Sequence, residues 1–272
     1  MILDILQKLL VTMAVFLPLE YLLPRLKDKK VFRAKWSLDS CYALISPFII
    51  GVGFVFIIVL GSLIINPILP ARVTEVIASQ HLIVQVIAII IIADIGYYFV
   101  HRMFHEIPFL WKLHAVHHSI EEMDWLAAHR VHPIDQILTR GLSLIIPYTF
   151  GFSTESIAIF FVIFVWHSYL KHSNINIRFG LLRWILVSPT YHHWHHANEE
   201  DAFDKNYAGQ LPIIDIIFKT AIMKETSGPA HYGTDTPVPE SYIGQILLPF
   251  KLPKPKNKAA SLKMEDVSLP GQ

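Results

Sequence analysis

Apolar residues in this chain come in long runs rather than in the one-sided periodicity of a water-soluble helix. Three runs, 2–23, 41–65 and 82–100, are long enough to cross a bilayer core of about 30 Å, which takes roughly 20 residues of helix. A weaker pair follows at 137–152 and 154–170, the first of them interrupted by Arg140, Pro147 and Gly151. That pair predicts a helical hairpin that enters the membrane and returns. The expected fold is therefore all-α: a polytopic membrane helical bundle with about four to five membrane segments and a cytoplasmic helical cap. Residues 1–250 read as a single domain without internal repeat, and 251–272, opening on K-L-P-K-P-K-N-K, as a disordered tail.

Polar positions between the runs set the orientation. Arg25, Lys27, Lys29, Lys30, Arg33 and Lys35 stand against Asp28 in the first loop, whereas loop 66–81 holds only Arg72. By the positive-inside rule the first loop is cytoplasmic, and the third span returns the chain to the cytoplasm at His101. If 137–170 goes in and out, His172 and everything after it return to that face too. The N-terminal run carries Asp4, Lys8 and Glu20 and lacks a small-residue cleavage site, so no cleavable signal peptide is expected.

Composition agrees with a membrane protein: 53% hydrophobic, 17% charged, mean hydropathy +0.44. A net charge of +1 argues against a nucleic-acid binder. A single cysteine, Cys41, excludes a disulfide framework, a cysteine-based zinc site and a cysteine-ligated iron–sulfur cluster within one chain.

The candidate chemistry is histidine. His101 and His105 lie in H-R-M-F-H, His114, His117 and His118 in H-A-V-H-H, and His192, His193, His195 and His196 in H-H-W-H-H. Spacings of three and four stack imidazoles along a helix. Neutral imidazole suits iron, zinc, copper and nickel, so two H-x-x-H-H patterns and one H-x-x-x-H point to bound metal. In the last cluster Ser188 and Pro189 give a helix start; counted from there, His192, His195 and His196 share a face and His193 does not. His172 follows the fifth apolar run and is placed to join the site. His132, before Pro133, is a candidate ligand or supporting donor, with His129 three residues earlier. His81, His167 and His231 read as ordinary core histidines.

Asp94, Tyr98, His101 and His105 form one stripe on the third span. A carboxylate inside a span is costly, and Asp94 is either the acceptor that fixes a liganding imidazole or a helix-packing hydrogen bond. Asp124, Asp135, Glu199 and Asp201 are further carboxylates that could offset metal charge, the last two reading better as solvated surface. No dinucleotide-binding G-x-G-x-x-G is present, so any electrons come from a separate reductase, ferredoxin or cytochrome. The basic loop 25–35 could dock that donor or meet anionic lipid headgroups.

With these boxes in order, the chain resembles the membrane fatty acid hydroxylase/sterol desaturase superfamily. The likeness includes D-I-G-Y-Y-F-V-H before the first box, R-V-H-P-I-D after the second, H-S-N-I at 172–175 and N-Y-A-G-Q-L-P-I-I-D-I-I-F-K-T at 206–220, covering roughly 90–220. Lys219-Thr220 departs from the Gly-Thr of many relatives. The resemblance implies a histidine-ligated pair of iron ions on the cytoplasmic side. It also implies O₂ and external electrons as reagents, and hydroxylation or desaturation of a lipid (sterol, fatty acyl, sphingolipid or related). The ligands it implies are His101, His105, His114, His117, His118, His172, His192, His195 and His196, with His132 added. The competing functions are a histidine-rich membrane metal transporter or sensor, which would spread its ligands through the spans, and a purely structural metalloprotein. Without a C-terminal lysine retrieval signal, a bacterial inner membrane is favoured over an endoplasmic reticulum.

Overall fold

The computed structural model describes residues 2–224 and 228–251; most of the expected tail, 252–272, lies outside the described residues. Among these residues there is no strand, only two isolated bridges, Pro24 with Ile175 and Ala197 with Tyr232. Helix α1 (Ile2–Leu22) and α2 (Trp36–Ile65) are joined by the basic loop, and a short α3 (Ala71–Ala78) leads into α4 (Leu82–Glu106). Of the described helices, α1, α2 and α4 are long and apolar enough to cross a membrane. On α2, Val52, Phe56 and Leu63 point outward and are exposed; a helix apolar on all sides belongs in hydrocarbon, not water. Helix α4 continues beyond its apolar run without a break, which carries His101 and His105 out on the same rod.

The rest of the chain caps one end. Helix α5 (Pro108–His118) turns back from α4, and after a 3₁₀ turn at Trp125–His129 come α6 (Pro133–Thr149) and α7 (Thr154–His172). These two are helical where the paired apolar runs predicted helix, and they fall outside the set that meets the length and apolarity of a full crossing. Helix α6 packs mainly on α2 and next on α4, and α7 mainly on α4, rather than on each other; the core there holds Ile89 and Ala93 of α4, Leu144 of α6, and Ile157 and Phe160 of α7. Close approach relies on small residues: a Cβ at Gly96 would stand 3.0 Å from the Ser143 Cα, so α4 and α6 touch backbone to backbone. Short helices α8 (Pro189–His195), α9 (Pro212–Ile217), α10 (Tyr242–Ile246) and α11 (Leu248–Lys251) complete the cap. Helix α8 starts as the sequence predicts: the Ser188 hydroxyl accepts from the Tyr191 N–H (3.1 Å), and Pro189 opens the helix.

Three of the loop's six basic residues, Arg25, Lys29 and Arg33, are turned inward, while Lys27 and Lys30 stay exposed. Arg33 donates to both oxygens of Asp124 (2.6 and 2.8 Å) and also to Asp39, which Arg130 pairs from the other side. Lys29 reaches the Met123 carbonyl and Asp124, and Arg25 reaches the Thr190 hydroxyl. Asp124 thus serves this network and not a metal. These ion pairs are buried at the end of the helices where the histidines gather, so the loop and the cap form one unit.

Candidate metal centre

Each H-x-x-H-H box serves two sites. With about 100° per residue, positions i and i+4 lie about 40° apart around a helix, while i+3 falls about 60° to the other side of i. Accordingly His114 and His118 of α5 join His101 and His105 of α4 and His195 of α8 in one group of five. His117 of α5 joins His172 at the end of α7 and His192 and His196 of the last box in a group of four. The single face expected for each box is replaced by a division between neighbouring sites. The groups adjoin: the His118 and His196 rings are stacked with centroids 4.6 Å apart. Ligand nitrogens within each group lie within 4.8 Å of one another, and eight of the nine residues are buried, His105 being partly so.

The tautomers follow from the partners. The Nδ1–H of His101 donates to the Tyr207 carbonyl (2.7 Å), of His117 to Arg130 (3.0 Å), of His172 to Ser168 (2.7 Å) and of His195 to Lys205 (2.8 Å). A carbonyl can only accept, so each of these rings carries its proton on Nδ1 and presents a lone pair at Nε2. His114 Nδ1 is held by the Asp135 carboxylate at 2.6 Å, the second arrangement that orients metal-bound histidine. The Nε2 atoms face one another: His101 to His114 at 2.9 Å, His118 to His195 at 3.1 Å, His117 to His172 at 3.2 Å, and His192 to both His172 (2.9 Å) and His196 (3.2 Å). Where both rings have Nδ1 held by an acceptor, His101 against His114 and His117 against His172, lone pair faces lone pair, which is repulsive unless a cation lies between. Nitrogens about 2.1 Å from one ion and about 90° apart stand about 3 Å from each other, which is this spacing. His105 Nε2, buried and without a hydrogen-bond partner, is consistent with the same use. The residues fit two metal ions. Burial holds the imidazoles neutral: His114 and His117 are lowered to about 3, and His118, His192, His195 and His196 fall well below their ordinary value.

The other expected residues lie elsewhere. His132 is outside both groups: its Nδ1 caps α6 by accepting from the Ile134 N–H (3.2 Å), and its Nε2 donates to the Ile246 carbonyl (3.1 Å). His193 is turned to Tyr232 and the Ser173 carbonyl, as expected. His167 is a core residue bonded to the Val187 carbonyl, but His81 and His231 are exposed, which corrects that reading. Glu199 and Asp201 are surface groups bonded to Ala230 and Lys224. Asp94 touches no imidazole. Its carboxylate accepts the backbone N–H groups of Gly209 (2.9 Å), Gln210 (2.9 Å) and Leu211 (2.7 Å).

Asp94 therefore holds a loop, and the loop holds ligands. Asp215 accepts from the N–H groups of Tyr207 and Ala208 (2.9 and 2.8 Å) and so grips the same stretch from its other side. Asp204 and Asn206 adopt left-handed backbone (φ 58° and 59°) on either side of Lys205. This turns the Lys205 and Tyr207 carbonyls toward His195 and His101. The N-Y-A-G-Q-L motif is thus a carbonyl-presenting loop, a role that residue types alone do not announce. Trp111 lies against His105 and His118 (centroids 5.3 and 5.4 Å), bonded to Thr236, and covers the group of five.

The fatty acid hydroxylase family model matches residues 86–220, the stretch that carries all nine histidines. Among curated proteins, the chain is 29% identical over 166 residues to the ornithine lipid hydroxylase OlsE of Rhizobium tropici, covering 61% of this chain and 50% of that protein. It is 34% identical over 127 residues to human alkylglycerol monooxygenase (47% of this chain, 28% of that one), and 30% identical over 145 residues to the Xenopus tropicalis enzyme (53% and 32%). The chain thus spans half or less of the length of these relatives. No solved structure matches. The segment that builds both histidine groups places this chain in the fatty acid hydroxylase family.

Proposed function

We propose that the chain is an O₂-dependent lipid hydroxylase that holds two iron ions in its two histidine groups. The observation that carries this reading is the convergence of nine imidazoles, five and four, on two adjoining sites. Zinc has no second oxidation state, and iron in an all-nitrogen site with positions left open supplies the redox chemistry that oxidises an unactivated C–H bond with O₂. In the balanced reaction one C–H becomes C–OH, the second oxygen atom leaves as water, and two electrons and two protons come from a separate donor. Carbonyl-fixed Nδ1–H groups keep His101, His117, His172 and His195 in the liganding tautomer, Asp135 adds negative charge behind His114, and burial under Trp111 excludes water. Hydroxylation is preferred over desaturation because the relatives are named as a hydroxylase and monooxygenases. A transporter would distribute ligands along the spans; here they sit beyond the apolar run of α4 and at the return of α7. The basic loop, packed on the cap, supports a cytoplasmic face for the centre, and we retain a bacterial inner membrane as the compartment.

The test is lipid mass spectrometry of cells with and without the chain, alongside iron analysis of the purified protein. One added oxygen on a lipid supports the reading, and loss of two hydrogens replaces it with desaturation. His195→Ala is expected to lower bound iron and abolish turnover; an iron-free wild type, or no change in any lipid, refutes the proposal.

A further inference from the structure

Between α7 and α8 the cap turns a run of apolar side chains outward. Residues 176–187 contain one 3₁₀ turn, Gly180–Trp184. Leu181 there is 86% and Ile185 just after it 63% exposed, with Leu182 and Trp184 also outside. Helix α9 lies against this turn and adds Ile213, Ile217 and Phe218, all exposed. Single exposed apolar residues need no explanation, but a contiguous group of this kind marks an interaction surface.

The two ends of the segment fix its height. At one end the Asn176 N–H donates to the Leu23 carbonyl (2.7 Å) and the Arg25 N–H to the Asn174 carbonyl (2.9 Å), so it starts where α1 leaves its apolar run. At the other, the Val187 N–H donates to the Gln210 carbonyl (2.9 Å), in the loop that Asp94 of α4 holds. The surface is also continuous with α4. Phe218 stacks on Tyr98 and meets Phe99 edge to face (centroids 5.0 and 5.2 Å). Phe99 is exposed on the same stripe as Ile91 and Ile95, the side that this crossing helix gives to hydrocarbon.

The charges match a membrane surface. Arg178 and Lys219 are exposed next to these residues, and Arg183 lies over the Trp184 ring (5.2 Å). Residues 176–187 hold no carboxylate, and 208–222 hold only Asp215, which is buried. Lys219 stands at φ 60°, a backbone conformation that favours glycine.

We propose that 177–185 and the outer side of α9 are inserted in the headgroup–acyl boundary of the leaflet at the metal-bearing end, with Arg178 and Lys219 among anionic headgroups. An apolar face of this kind goes about 5–10 Å into that boundary, where tryptophan is favoured and nearby cations are attracted to anionic lipid. The bilayer, and not a second copy of the chain, is the occupant because the surface continues the stripe of α4 that already faces hydrocarbon. The proposal is independent of the hydroxylase reading and assigns to the membrane a part of the cap outside the crossing helices. It sets His101, which follows Phe99 on α4 by two positions, at the level of the headgroups.

The test is electron paramagnetic resonance of the nitroxide-labelled whole chain in vesicles of phosphatidylcholine with phosphatidylglycerol. Leu181→Cys and Ile217→Cys are made in a Cys41→Ser background, with Val52→Cys in α2 as the lipid reference and Glu200→Cys, exposed on the cap, as the water reference. Labels at 181 and 217 are expected to collide more with O₂ than with a water-soluble nickel chelate, as at 52, and the label at 200 to show the reverse. Omitting phosphatidylglycerol, or adding Arg178→Gln with Lys219→Gln, is expected to shift the 181 label toward water. Nickel collisions at 181 or 217 equal to those at 200 overturn the proposal. So does spin–spin broadening that dilution with unlabelled chain removes, because a second copy then covers the surface. A depth that ignores both anionic lipid and the double variant overturns the role of the two cations. Positions 181 and 217 lie on separate elements, so either label decides alone should the other variant fail to fold.

Discussion

At the scale of the residue, the two sites are unequal, and the inequality is measurable. The group of four has no ligand to spare, whereas the group of five can lose one and keep four. His196→Ala is therefore expected to reduce iron toward one ion per chain, and His105→Ala to reduce it far less; plasma-emission metal analysis of both variants checks this, and equal losses would contradict the division. The same rings give the metal-free protein a pH dependence of known sign. His114 and His117 are lowered from 6.5 to about 3 by burial, so in that window the unfolded chain binds more protons than the folded one. Stability should be fully present above pH 6.5 and fall as the solution is acidified toward 3, read as a melting temperature in chelator. Which histidines converge was legible in the spacing of the boxes. The division between sites was not, because it depends on where α4, α7 and α8 approach α5, and the spacing of one helix holds no record of its neighbours. His132 shows the opposite failure: a histidine next to a helix start can cap it as readily as bind metal.

At the scale of the element, the loop from Asp204 to Leu211 explains why a carboxylate lies inside α4. Asp94 was readable as an expensive residue with a purpose, and both readings offered for it fell short, since its partners are backbone N–H groups more than a hundred positions away. Backbone donors carry no residue type, so no sequence pattern marks them. Asp94→Asn is expected to be disruptive despite its similar shape, because an amide puts its own N–H group where one of the loop donors must point. A buried bond to a charged acceptor contributes about 1.5–3 kcal/mol, and here three are affected together. The variant should show faster hydrogen exchange over 205–211 and weaker iron retention in the group of five, whose His101 and His195 depend on that loop. Normal protection of the loop in Asp94→Asn would remove it from the support of the centre.

At the scale of the whole molecule, the helical architecture and three crossings were legible because bilayer thickness fixes how many apolar residues a crossing needs. The basic loop was legible as a charge cluster, but the inward use of half of it was not. Positive charge marks the side of the membrane on which a loop stays during insertion, and says nothing of whether the folded cap later encloses it. In the fold, Arg33 joins Asp39 at the start of α2 to Asp124, and Arg130 bonds that same Asp39 while its carbonyl fixes His117. A buried pair adds little over apolar packing, yet breaking one leaves uncompensated charge at about 3–5 kcal/mol. Arg33→Ala takes a buried partner from two carboxylates at once, leaving Asp39 to Arg130 and Asp124 to Lys29, and is expected to lower the melting temperature. Because Arg130 would follow the freed Asp39, iron in the group of four should be lost at a lower temperature than iron in the group of five. If Arg33→Ala melts like wild type and holds both irons, the N-terminal loop and the metal-bearing cap are independent, and the centre is supported from the α4 side alone.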